Sequence, residues 1–172
     1  MIFLQREAND MYRKYLIAYF SASPSRRTEK ISEKIADVIG ADLYEIVPAV
    51  PYTEDDLNWN NEKSRSSVEM NDPASRPEIA GELPDISHYE TVFVGFPIWW
   101  YIAPHIINTF LESCDLKDKT VVPFSTSGGS PMGQTTAHLR PSAPGALVKE
   151  GRRFEMGETP MAINSWIASL GI

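Results

Sequence analysis

"TVFVGFPIWWYIAPHIINTFLE", residues Thr91 to Glu112, contains a complete strand-to-helix unit. Thr91–Phe96 is a nearly continuous apolar run, as expected of a strand covered on both faces. Ile106, Ile107, Phe110, Leu111 and then Cys114 recur at helical spacing. Between the two lies Pro97–Tyr101, with Trp99, Trp100 and Tyr101 in succession. A strand buried on both faces and handed on to a helix belongs to a parallel sheet, whose crossovers are helical and right-handed.

The same alternation extends in both directions. Tyr15–Phe20 is a short apolar strand, and Ile31, Ile35, Val38 and Ile39 predict a helix from Thr28 that Gly40 stops. Ala41–Val47 alternates as a strand and Pro48 closes it. Thr120–Phe124 reads as another buried strand, a weak helix is predicted over Met132–Leu139, and Ala146–Phe154 reads as a last, edge strand carrying Lys149, Arg152 and Arg153. Thr159 caps a final helix with Pro160 at its first position and Ile163, Trp166, Ile167 and Leu170 on its apolar face. Pro51 to His88 shows little periodicity apart from a possible short helix in "NNEKSRSSVEM"; so long an excursion suggests a functional lid. Met1–Lys14 reads as a polar extension before one domain over residues 15–172.

The predicted fold class is therefore α/β, a doubly wound, five-stranded parallel sheet in the order 2-1-3-4-5. The composition is that of a water-soluble globular chain, 42% hydrophobic and 23% charged, without an apolar run long enough to span a bilayer. The net charge of −7 argues against nucleic acid as a partner and suits a basic docking protein. "YLIAYFSAS" faintly imitates a signal peptide, but its apolar core is short and Glu7 and Asp10 precede it, so a cytoplasmic location is expected. Cys114 is the only cysteine, which rules out an intrachain disulfide and reads as a core thiol.

In doubly wound sheets ligands bind beyond the carboxyl ends of the strands. Three unusual segments lie there. Ser21–Thr28 gathers Ser21, Ser23, Ser25 and Thr28 with Arg26 and Arg27 at a helix start, where free N–H groups and the dipole favour an anion such as a terminal phosphate. The plainer alternative is a cap serving only its own helix. Pro97, Ile98, Trp99, Trp100 and Tyr101 could wall a flat aromatic ligand, with at least one indole packed in the core. Ser125, Thr126, Ser127, Gly128 and Gly129 open a loop whose backbone a ligand can approach closely, or a mere turn.

On "YFSAS…T", "GADLYEI", "DISHYETVFVGFPIWWYIAPHIINTFLE" and "DKTVVPFSTSGGSPMG", the chain resembles the bacterial flavodoxin-like proteins that bind flavin mononucleotide (FMN). The likeness runs from about Tyr15 to the C-terminus. It implies that Ser21, Ser23 and Thr28 serve the phosphate, that Pro97–Tyr101 flanks the isoalloxazine ring with Trp99 and Trp100 as contacts, and that Ser125–Gly129 meets the ring's pyrimidine side. The family's usual Ser-x-Thr-Gly-x-Thr departs here: "PSRR" stands between Ser23 and Thr28, the glycine is missing, and Pro24 has no N–H to donate. Either Arg26 or Arg27 replaces the lost donors, or flavin binding is weakened.

Other chemistries lack their residues. His88, His105 and His138 are scattered without metal-ligand spacing; there is no GxSxG, GxxxxGK[ST] or GxGxxG. His105, near the second loop, reads as structural before it reads as a proton donor. Glu54–Asp56 are solvated loop charges or part of an acidic rim, and Trp59 could cover the ring. Three readings follow: an electron carrier moving electrons between redox partner proteins, an NAD(P)H-dependent FMN reductase acting on quinones or similar acceptors, and a flavodoxin-like fold that has lost its flavin. The first needs no catalytic side chain.

Overall fold

The computed structural model describes residues 14–172. The polar extension read over Met1–Lys14 lies outside them except for Lys14, whose carbonyl accepts from the amides of Glu90 and Thr91. In chain order the elements are β1 (Tyr15–Tyr19), α1 (Arg27–Ile39), β2 (Asp42–Glu45), α2 (Arg65–Asn71), β3 (Thr91–Phe96), α3 (His105–Ser113), β4 (Thr120–Ser125), α4 (Thr135–Leu139), β5 (Leu147–Val148), β6 (Arg152–Arg153) and α5 (Pro160–Leu170), with a short 3-10 turn at Arg140–Ser142. The sheet runs β2-β1-β3-β4-β5, every pairing parallel, and β6 adds a second short piece beside β4.

The period-2 alternation of the central strands sorts the core into two layers. Leu16, Ala18, Phe20, Val92, Val94, Phe96 and Val121 point to the face covered by α3. Ile17, Phe93, Val122 and Phe124 point to the face covered by α1 and α5. Gly95 keeps the second layer closed: a Cβ there would lie 2.3 Å from the Phe124 ring. The helix ends follow their expected chemistry. Gly40, at φ 66°, ends α1 in the left-handed conformation that glycine adopts without strain. The Thr159 hydroxyl accepts from the Ala162 amide and starts α5.

Two expectations need correction. The edge strand read over Ala146–Phe154 is broken into β5 and β6. Between Val121↔Val148 and Phe124↔Arg152, three steps along β4 match four along its partner, so the edge carries one extra residue. The break faces Pro123, which has no N–H for the ladder, and Gly151 fits closely there, because a Cβ on it would sit 2.5 Å from the Pro123 carbonyl. The helix read from Met132 starts only at Thr135, since Gly133, at φ 54°, interrupts it.

The excursion is fastened to the body rather than hanging from it. Pro48 and Ile79 form an antiparallel bridge, with Ala49 N donating to Glu78 O and Ala80 N to Val47 O. Its short helix α2, legible in "NNEKSRSSVEM", is capped by the Ser64 hydroxyl, which accepts from the Ser67 amide. No helix among the described residues is long and apolar enough to cross a membrane.

Candidate functional site

Parallel strands place the segments after β1, β3 and β4 on one rim of the sheet. After β1, Ser23 O accepts from Arg26 N at 3.0 Å, closing a turn over "SPSR", and α1 begins at Arg27. Arg26 itself is left-handed, at φ 52° and ψ 41°, and no side chain caps the helix. The amides of Arg27, Thr28 and Glu29 find no acceptor among the described residues; the first intrahelical bond is Lys30 N to Arg26 O. Ser21 is buried, and its Oγ has no hydrogen-bond partner there. The Ser23 and Ser25 hydroxyls face each other at 3.0 Å on the exposed side.

The two arginines diverge. All three guanidinium nitrogens of Arg26 are engaged: Nε with Glu29 at 2.7 Å, Nη2 with Glu45 at 2.5 Å and Nη1 with the Ser21 carbonyl at 3.0 Å. Those two carboxylates raise the guanidinium's already high pKa, and Arg26 in turn holds the Glu29 carboxyl below its usual value. Tyr19, whose hydroxyl donates to Glu29, is pushed up to about 12 by burial and by Glu45 and Glu29. Arg27 is exposed and its side chain forms no hydrogen bond or ion pair among the described residues. Its Nη1 would lie 3.5 Å from a Cβ on Gly128, so it reaches across to the third loop.

After β4, Ser125 is fully buried, its Oγ without a partner among the described residues, and the Thr126 hydroxyl meets that of Thr28 at 2.8 Å. The first and third loops are thus joined by one buried hydroxyl pair. Arg153 on β6 donates to the Ser127 carbonyl, and the Ser127 hydroxyl donates to Ser130 O, which braces the loop from the edge. Gly128 and Gly129 are exposed, and a Cβ on Gly129 would meet open space.

After β3, Trp99 and Ile102 exchange both backbone hydrogen bonds, at 2.9 and 3.2 Å. The two residues between them, Trp100 and Tyr101, have φ of 46° and 68°. Positive φ at both central positions is the geometry that Asn-Gly normally serves in a tight turn. For two aromatic residues it stores strain of about 1–2 kcal/mol each, and strain of this kind collects at functional loops. The turn splits the tandem indoles. Trp99 packs inward, edge-on to Phe20 at 5.6 Å and Tyr52 at 5.3 Å, while Trp100 is 38% and Tyr101 74% exposed.

These aromatic residues line a cleft of about 540 Å³. Ile98, Trp99, Trp100 and Tyr101 form one wall; Leu57, Trp59 and Ser66 from the excursion form another, and Ser130 contributes from the third loop. Among the described residues, no carboxylate, imidazole, ammonium, guanidinium or thiol lines it. Trp59 thus lines the same cleft as the residues of the second loop. Leu57, Ser66 and Ser130 carried no local signal, because only folding brings the excursion over the rim. The excursion is steadied by Tyr52, whose hydroxyl donates to Glu69 at 2.5 Å beneath the Arg65 guanidinium. Burial and Glu69 together push the Tyr52 phenol well above its ordinary range.

His105 does not line the cleft. It is 2% exposed, pairs through Nδ1 with the Ser75 hydroxyl at 2.6 Å, and stacks on His138. Burial first, then Arg76 and His138, hold its pKa below the usual imidazole value. The pairing fastens the excursion to α3, a structural role.

The flavodoxin family matches the chain over residues 14–170. A candidate flavoprotein from Bacteroides eggerthii is 49% identical, with 92% of this chain and 98% of that one covered and a TM-score of 0.87. A second, from Bacteroides uniformis, is 42% identical over 90% and 97% of the two chains, with a TM-score of 0.83. A flavoprotein from Lactobacillus acidophilus, solved in complex with FMN, shares the fold at 22% identity, a TM-score of 0.71 and coverage of 93% and 99%. No curated protein sequence matches. With its strand order, its three rim loops and a family match across nearly all of the described residues, the chain belongs to the flavodoxin family.

Proposed function

We propose that the chain binds one FMN noncovalently and carries electrons between redox partner proteins. The observation that carries this reading is the presence, on one rim, of both a group of free donors and an aromatic cleft. At one end are the Arg27 guanidinium, three amides of α1 and the Ser21 hydroxyl, all without partners among the described residues. At the other are Trp99, Trp100, Tyr101 and Trp59. Buried hydroxyls without partners are costly, and a bound phosphate would satisfy Ser21. The Lactobacillus acidophilus flavoprotein of the same fold, seen with FMN, supports the same choice of ligand.

Ser21, Arg27 and the first amides of α1 would hold the phosphate; Trp99, Trp100 and Tyr101 would flank the ring; Ser125–Gly129 would offer backbone donors to its polar edge. Bound FMN supplies the redox chemistry, taking up and giving up electrons. The chain's part is to bind it, shield one face and leave an edge accessible.

Freshly purified protein should be yellow, with absorption near ~450 nm from bound flavin. The flavin-free chain should quench FMN fluorescence on titration with one-to-one stoichiometry. A chain that binds no FMN overturns the reading and leaves the flavin-less alternative. Anaerobic mixing of the loaded protein with NADPH separates the remaining two: a carrier stays yellow, whereas rapid bleaching identifies a reductase.

A further inference from the structure

The uncapped start of α1 raises a physical question that Arg26 answers. A left-handed residue followed by right-handed Arg27 turns successive N–H groups toward one concavity, an arrangement suited to an anion. Left-handed backbone disfavours every residue with a Cβ, and arginine has none of the local hydrogen-bonding that helps Asn or Asp there. Something must hold it. The guanidinium is tied at all three nitrogens, to Glu29 one turn ahead, to Glu45 at the end of β2 and to the Ser21 carbonyl behind it. These anchors lie on three different segments, so they define where the Arg26 Cα must sit. They engage each of the three guanidinium nitrogens and three of its five N–H donors.

We propose that Arg26 is a positioning residue: its clamp between Glu29, Glu45 and the Ser21 carbonyl holds the left-handed turn that opens the α1 N-terminus to the flavin phosphate, while Arg27 alone supplies the free positive charge. The inference rests on the FMN reading above and assigns different work to two adjacent arginines. Glu45 becomes part of the site although it lies on the edge strand and carries the wrong charge for a phosphate neighbour.

The test titrates FMN and riboflavin, which lacks the phosphate, into the flavin-free protein and its R26A, R26G and E45Q variants. R26A weakens FMN binding by roughly 5- to 30-fold, the penalty of a left-handed alanine with no clamp expressed as affinity. R26G loses at least about threefold less than R26A, because glycine adopts the turn unaided. E45Q weakens FMN binding even though it removes a negative charge. Riboflavin affinity stays within about twofold throughout, since the change is confined to the phosphate end. Equal losses in R26A and R26G would mean that the guanidinium touches the phosphate directly and would overturn the proposal; so would tighter FMN binding by E45Q. If the unaltered protein binds neither flavin, the functional reading fails separately. Thermal melting then decides the conformational claim: R26G melting above R26A upholds it, and the reverse order or equality overturns it.

Discussion

Among the described residues, the hydroxyl pair between Thr28 and Thr126 is the one buried side-chain hydrogen bond tying the first rim loop to the third, and it can be cut without changing shape. Both residues are buried, at 2% and 6% exposure, and their hydroxyl oxygens are 2.8 Å apart. Thr28→Val replaces the hydroxyl by a methyl of similar size and strands the Thr126 Oγ1 in a dry site. Leaving a buried polar group unsatisfied costs about 1–3 kcal/mol. Thr126→Val should cost about the same for the same reason. The double variant removes both partners and leaves two methyls in van der Waals contact, a change that is close to neutral. Each single loss should therefore exceed the double loss by about 1–3 kcal/mol, a strong non-additivity that is the signature of direct coupling. Urea unfolding of the flavin-free chain reads this out. With a slope of about 1–3 kcal/mol per molar urea, a loss of about 2 kcal/mol moves the midpoint by roughly 1 M, and the double variant should recover most of it. Additive losses, or a Thr28→Val midpoint equal to that of the unaltered chain, would refute the claim that this pair bridges the loops.

His105 predicts a pH dependence. Its folded-state pKa lies below the ordinary 6.5, so the unfolded chain takes up the proton first. The stability from the neutral imidazole is complete above 6.5 and is lost as pH falls through the folded value; His105→Asn should flatten that slope, and identical slopes between pH 7.5 and 5.5, as measured by urea unfolding, would remove His105 as its source. Gly95→Ala pushes a methyl into the Phe124 ring and should cost about 1–3 kcal/mol, seen as a lower melting temperature; no change would mean that the two central strands have room to part. Burial lifts the Cys114 thiol to about 11, so iodoacetamide at pH 8 should alkylate it at least about tenfold more slowly than a free thiol; a rate equal to that of free cysteine would contradict its packing.

What could be read from the residues in order was the set of local, periodic signals. "TVFVGF" and "TVVPF" are apolar on both faces because helices cover both, and Ile31, Ile35 and Val38 repeat because one stripe of a helix must be buried. Alternation of the two periods leaves few topologies, and the sheet order followed. The three rim loops were legible too, since parallel strands put their carboxyl ends together. Tertiary contact decided the rest. Which tandem indole turns inward depends on a strained two-residue turn that tryptophan and tyrosine do not advertise. The break in the edge strand depends on Pro123 facing it from the neighbouring strand. Arg26 and Arg27 are indistinguishable as letters. Glu29, Glu45 and the Ser21 carbonyl occupy Arg26, and among the described residues the Arg27 guanidinium is left free; the Glu45 contact, nineteen positions away, had no local signal, because such pairing is settled by distance in space.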